Sequence, residues 1–185
     1  GDAQGDVFYL GVGDQVLEGN GANGTDVVLV SGNLTNYTLA ENIEQLGLAN
    51  PASTTSHTLV GNSDANTVTG GAGNDSLFGG LGTDSIVGGD GADTLSGIGT
   101  DLVNAEGADT LTGGTGNDVY YFANGDVVVE QPGGGIDTVL LSPGSTFNFT
   151  GSNVENVGAA DPLSGTGIGV TGDAGANSLS GATGA

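Results

Sequence analysis

The sequence predicts an all-β protein in which a short unit winds into a solenoid. Two observations lead to that class. Between Gly70 and Tyr121 a unit of about nine residues recurs as GGAGNDSLF, GGLGTDSIV, GGDGADTLS, the degenerate GIGTDLVN and AEGADTLT, and GGTGNDVYY. An apolar residue stands two positions after each aspartate, as Leu77, Ile86, Leu95, Val103, Leu111 and Tyr120. Glycine at this density excludes helix on propensity alone, and a unit this short buries nothing by itself. Stacked copies of it do.

Each part of the unit has a physical role. Gly-Gly-x-Gly is a tight turn, because glycine reaches positive φ without steric cost. Asp-x-apolar is a short strand with side chains alternating between faces, so the apolar residue points inward. Each unit is then one half-turn of a flattened coil. The aspartates Asp75, Asp84, Asp93, Asp101, Asp109 and Asp118 are spaced nine, nine, eight, eight and nine residues apart. They fall in rows along the coil edges, about 4.8 Å from rung to rung. Carboxylates so placed repel unless a cation separates them. Calcium suits the position, being a hard ion that takes ~6–8 oxygens from carboxylates and backbone carbonyls. The expected ligands are these aspartates with the turn glycines Gly71, Gly73, Gly80, Gly82, Gly89, Gly91, Gly99, Gly107, Gly114 and Gly116. Gly99 with Asp101 and Gly107 with Asp109 lack the double glycine, so those two sites are expected to bind weakly or to lack an ion.

This pattern closely resembles the calcium-binding nonapeptide of the repeats-in-toxin (RTX) family. The resemblance implies a right-handed parallel β-roll with calcium in the turns between rungs, export from a bacterial cell, and an extracellular or cell-surface location. A flexible glycine-rich linker is the competing reading. It gives no reason for an apolar residue two positions after every aspartate.

Charge supports the same view. The chain has 185 residues, no lysine or arginine and 22 acids, for a net charge of −22. No internal cation offsets that repulsion, so compaction awaits counter-ions. Roughly 6–8 divalent ions would cancel about 12–16 charges. The metal-free chain is therefore expected to be expanded and the loaded chain folded. Nucleic acid and anionic membrane surfaces are excluded as partners by charge. No apolar run approaches the ~20 residues of a membrane span. There is no cysteine and no methionine. The missing initiator and an end in mid-pattern suggest a piece of a longer chain, with any C-terminal secretion signal outside it.

A second, longer repeat is present. Asp6-Val-Phe-Tyr-Leu10 matches Asp118-Val-Tyr-Tyr-Phe122, and Gly13-Asp14-Gln-Val-Leu-Glu18 matches Gly125-Asp126-Val-Val-Val-Glu130. Gly24-Thr-Asp26 matches Gly135-Ile-Asp137, and Glu41-Asn-Ile-Glu44 matches Ser152-Asn-Val-Glu155. The offset is 112 residues early and 111 later. Four segments follow: 1–60 (wider β rungs, first copy), 61–121 (nonapeptide roll), 122–171 (wider rungs, second copy) and 172–185 (start of the next nonapeptide block). In the wider rungs, Val7–Leu10, Asp14–Glu18, Asp26–Val30, Tyr37–Ala40 and Asn42–Leu46 read as strands. Asp126 and Asp137 are taken as further calcium ligands. For these two, for their counterparts Asp14 and Asp26, and for Glu18 and its copy Glu130, the reading as solvated surface acid stays open beside that of ligand, and Asp6 is a further candidate ligand. Asn66 and Asn177 replace the aspartate and suggest metal-free rungs.

No catalytic role is expected. The single histidine, His57, lies in a Ser/Thr-rich stretch and reads as a surface loop residue without partners for a triad or a transition-metal site. The expected function is a calcium-dependent structural or assembly module of a secreted surface protein, such as an adhesin, surface-layer lattice or fibre. Its partners would be calcium and other copies of itself or neighbouring repeats. The alternative is a folding and secretion module of an RTX toxin or exoenzyme. Ice binding is less favoured, since the third repeat position (Ala72, Leu81, Asp90, Ile98, Glu106, Thr115) forms no uniform Thr or Asn row.

Overall fold

A computed structural model describes residues 5–16, 24–98, 107–123, 125–148, 151–161, 167–172 and 177–180. All regular structure in these residues is strand, and every pairing is parallel. One sheet stacks β1 (Val7–Leu10), β2 (Val27–Val30), β4 (Gln45–Leu48), β6 (Thr67–Gly71), β8 (Ser85–Asp90), β10 (Thr110–Thr115) and β12 (Val127–Val129) in that order. The opposite sheet stacks β3 (Asn36–Thr38), β5 (Thr58–Val60), β7 (Ser76–Gly80), β9 (Thr94–Ile98), β11 (Val119–Phe122), β13 (Thr138–Leu141), β15 (Asn156–Ala159) and β17 (Ser178–Leu179). A third pair joins β14 (Thr146–Asn148) to β16 (Gly169–Thr171). Strands thus alternate between two faces of one coil through most of the chain. The result is a β-solenoid of about 8 turns, consistent with a β-roll.

The core is two facing apolar ladders. Val28, Leu46, Val68, Ile86 and Leu111 are in register on one sheet, and Leu59, Leu77, Leu95, Tyr120, Val139 and Val157 on the other. All are at most 2 % exposed. This confirms the inward reading of the apolar position; Val103 lies outside the described residues. Deleting three carbons from such a ladder leaves a cavity that small side chains cannot refill. Leu77→Ala is expected to destabilise the calcium-loaded fold by ~2–5 kcal/mol, read from urea melts at saturating calcium.

Most strands of the wider rungs of 1–60 and 122–171 continue the same two sheets, with β14 and β16 in the third pair. One strand expectation shifts. Asn42 sits at φ 62° in a turn, which ends the extended run expected from there, and β4 begins at Gln45 instead. Of Asp14–Glu18, the described part up to Val16 contains no strand, though Val16 is buried. The long repeat holds register: Val7 pairs with Val27 and Val27 with Gln45, as Val119 pairs with Thr138 and Thr138 with Asn156. The two copies lie in opposite sheets.

The degenerate segment keeps the strand alternation but lengthens the step between rungs. β8 pairs directly with β10, and β9 with β11. Asp109 therefore follows Asp84 in its row after 25 residues, and Asp118 follows Asp93 after 25, where neighbouring nonapeptide steps take 18. The six aspartates are thus not six successive half-turns. Gly99 and Asp101 lie outside the described residues.

Candidate metal centres

The residue just before each strand defines an edge row. On one edge the row runs Asp6, Asp26, Glu44, Asn66, Asp84, Asp109, Asp126. On the other it runs His57, Asp75, Asp93, Asp118, Asp137, Glu155. Within a row, each acid's first oxygen accepts the backbone N–H of the residue one rung earlier. Asp75 N–H donates to Asp93 Oδ1 (2.7 Å), Asp93 N–H to Asp118 Oδ1 (2.8 Å), Asp118 N–H to Asp137 Oδ1 (2.9 Å) and Asp137 N–H to Glu155 Oε2 (2.8 Å). Across the coil, Asn66 N–H donates to Asp84 Oδ1 (2.8 Å), Asp84 N–H to Asp109 Oδ1 (2.8 Å) and Asp109 N–H to Asp126 Oδ1 (3.2 Å). Asp6 N–H and Asp26 N–H donate likewise to Asp26 Oδ1 and Glu44 Oε2. One carboxylate oxygen therefore locks the register.

The second oxygen is the informative one. Asp75, Asp84, Asp93, Asp118 and Asp137 are buried, and their Oδ2 atoms have no hydrogen-bond donor. Asp26 Oδ2 is in the same state. A buried ionised oxygen without partner is costly, and among the six only Asp75 has a basic side chain nearby, His57. The glycine turns supply neutral oxygens beside them. At Gly89, φ is 117° and the Cα faces the Gly71 carbonyl one rung earlier. At Gly91, φ is 122° and the Cα faces the Gly73 carbonyl. Neither position has room for a Cβ. Gly71 and Gly80 close their strands, Gly89 and Gly114 stand one residue before the ends of theirs, Gly73, Gly82, Gly91 and Gly116 lie in the turns that follow, and Gly107 lies just before β10. Carboxylate and carbonyl oxygens so placed fit a hard divalent ion: the aspartates would hold it, and it would supply the positive charge that this chain lacks.

Burial raises the acids. Asp84 and Asp93 are pushed up to about 7, first by loss of solvent and then by neighbouring carboxylates, against the lowering effect of their N–H donors. Asp109, Asp118 and Asp137 are raised by the same cause. Asp126 rises to about 6 by burial, although its oxygens accept from Ala123 N–H (2.8 Å) and Asp109 N–H.

Several expectations are corrected or sharpened here. His57 is 2 % exposed, not a surface residue. It holds the row position before β5, where its N–H donates to Asp75 Oδ1 (2.7 Å) and its Nδ1 lies 3.5 Å from that oxygen. Asp26 and Asp137, both in the rows and at most 1 % exposed, are not solvated surface acids. Asp14 is exposed and caps a turn through Gly11 N–H (2.9 Å). Asn66 needs no ion to satisfy it, since its Oδ1 accepts from Asn62 N–H (2.7 Å) and its Nδ2 donates to the Ile43 carbonyl (3.0 Å). Glu44 and Glu155 join the rows unforeseen; counting one residue back from each strand would have found them. Glu18 lies outside the described residues.

Rows of buried acids between parallel rungs mark a β-solenoid whose edges fit cations. A family model of the RTX calcium-binding nonapeptide repeat matches residues 60–95 and 105–129, in four copies. Those residues carry RTX calcium-binding nonapeptide repeats, and such repeats imply a calcium-binding β-roll module. No curated protein and no solved structure matches the chain.

Proposed function

We propose that this chain is a calcium-dependent structural and assembly module of a secreted bacterial cell-surface protein, with no catalytic role of its own. The buried, donorless Oδ2 atoms of the two aspartate rows carry the reading. Without a cation they set like charges against one another in a low-dielectric interior, and the coil stays open. Extracellular calcium sites bind at ~10⁻⁴–10⁻³ M, so the chain remains unfolded in calcium-poor cytosol and winds up outside. The long repeat favours a surface array over a lone folding module, because tandem copies extend reach. The strands at each end of the described coil, such as β1 with its exposed Val7 and Tyr9, offer free edges for a further rung.

Far-UV circular dichroism and sedimentation, with and without calcium, test this on the chain and on a version with two copies of the long repeat. The expected result is a β signal that appears only with calcium, and association that grows with copy number. A β signal untouched by a strong chelator at neutral pH would overturn the reading. Calcium-dependent folding without copy-dependent association would favour the toxin or exoenzyme folding module instead. Within the roll, Asp84→Ala is expected to raise the calcium needed for half-folding, while Thr83→Ala leaves it unchanged.

A further inference from the structure

We propose that Asp118, Glu130 and Asp137, with the Tyr120 hydroxyl beside them, form an interior divalent-cation site made of side chains, separate in kind from the carbonyl-rich sites of the nonapeptide turns. The inference rests on the calcium reading above and assigns it a further position.

Register places Glu130. Thr110, Leu111 and Thr112 pair with Val127, Val128 and Val129, so Glu130 stands one rung beyond Gly113, the first glycine of a Gly-Gly turn. A glycine there offers the site only backbone. The glutamate instead folds its side chain inward and is 6 % exposed. One carboxylate oxygen from each of Asp118, Glu130 and Asp137 lies within 4.8 Å of the others. Their convergence has a second marker: a methyl group built on Gly113 would run into Tyr120 Oη, Asp118 Oδ2 and Glu130 Oε1 together. Asp118 Oδ2 and Asp137 Oδ2 are buried without a donor, each aspartate being 1 % exposed. Glu130 Oε1 accepts from the Tyr120 hydroxyl, and its Oε2 accepts from Gln131 N–H (3.1 Å).

Three buried carboxylates must be either protonated or paired with a cation. An all-oxygen donor set selects a hard ion, and three charges favour tighter binding than the turns provide. The site sits where the nonapeptide block passes into the wider rungs, with Glu130 just past the residues matched by the family. By sequence it recurs once per long repeat, as Asp6, Glu18 and Asp26, with Phe8 in place of Tyr120.

Terbium is a luminescent substitute for calcium, and tyrosine sensitises it. The chain has no tryptophan and four tyrosines, of which Tyr120 borders the cluster. The expected result is tyrosine-sensitised emission that saturates at low terbium. Tyr120→Phe should remove most of it. Glu130→Gln should shift its midpoint upward by roughly tenfold or more. Glu130→Gly restores the glycine of the turn pattern, guards against a misfolded amide variant, and should show the same shift. Glu41→Gln, an equal charge change on an exposed acid, should not. If Tyr120→Phe and Glu130→Gly both keep the wild-type emission and midpoint while calcium still induces the β signal, this site is refuted and the calcium reading stands. If the wild-type chain gains no β signal with calcium, the broader reading fails instead.

Discussion

Stripped of calcium at pH 8, the chain is expected to lose its β signal, and to regain much of it when the pH is lowered to 5. The sign follows from the buried acids. In the folded, metal-free chain Asp84 and Asp93 titrate near 7 and Glu130 near 8, against reference values of 3.8 and 4.5. The folded state therefore holds more protons than the unfolded one between about pH 4 and 8. Stability contributed by these groups is complete below their unfolded values and is lost as pH rises through the folded ones. Protons and calcium compete for the same oxygens, so calcium affinity should fall over the same interval. Circular dichroism in chelator across this range measures it. A signal equally absent, or equally present, at both ends would contradict the assignment of the rows as the obstacle to folding.

Gly88→Ala is expected to have a large effect for a single methyl group. A Cβ at Gly88 would land on Asp93 Oδ2 and lie 2.7 Å from the Gly113 carbonyl oxygen. It fills the cradle between a donorless carboxylate oxygen and a turn carbonyl, which leaves a cation no room. Forcing such an overlap costs ~1–3 kcal/mol even without an ion, and here the site is lost as well. Half-folding should then require clearly more calcium. Gly47→Ala is the matched control: it also lies within a buried strand, but its nearest neighbours would be at 3.8 Å, an ordinary contact. Equal calcium curves for the two variants would show that the space beside Asp93 holds nothing.

Much of the architecture was legible because two periodicities agree. The apolar residue two places after each aspartate set the inner face, and Leu77, Ile86, Leu95, Leu111 and Tyr120 are buried as the spacing requires. The aspartates form rows for the same reason, since a fixed position before a strand repeats with the strand. Pairing partners were less legible. Spacing near 101–109 read as two degenerate half-turns, yet Asp109 follows Asp84 in its row after 25 residues where Asp84 follows Asn66 after 18; register is set by which strands stack, and a run of suitable length does not reveal that. His57 was hidden by its composition-poor surroundings, although it precedes Thr58 as Asp75 precedes Ser76. Glu130 stayed open between ligand and surface acid because its place just past β12 does not show, in sequence, that the following turn folds it in beside Asp118 and Asp137.

Amide hydrogen exchange at Asp75, Asp84, Asp93 and Asp118 tests the central claim most directly. Each of these N–H groups donates to the carboxylate one rung on, so it reports whether the rows are assembled. With calcium at neutral pH, all four should be strongly protected, and chelation should return them to the rate of an unfolded chain. Protection that persists in chelator would mean that the acidic rows assemble without a cation, and the account would be wrong.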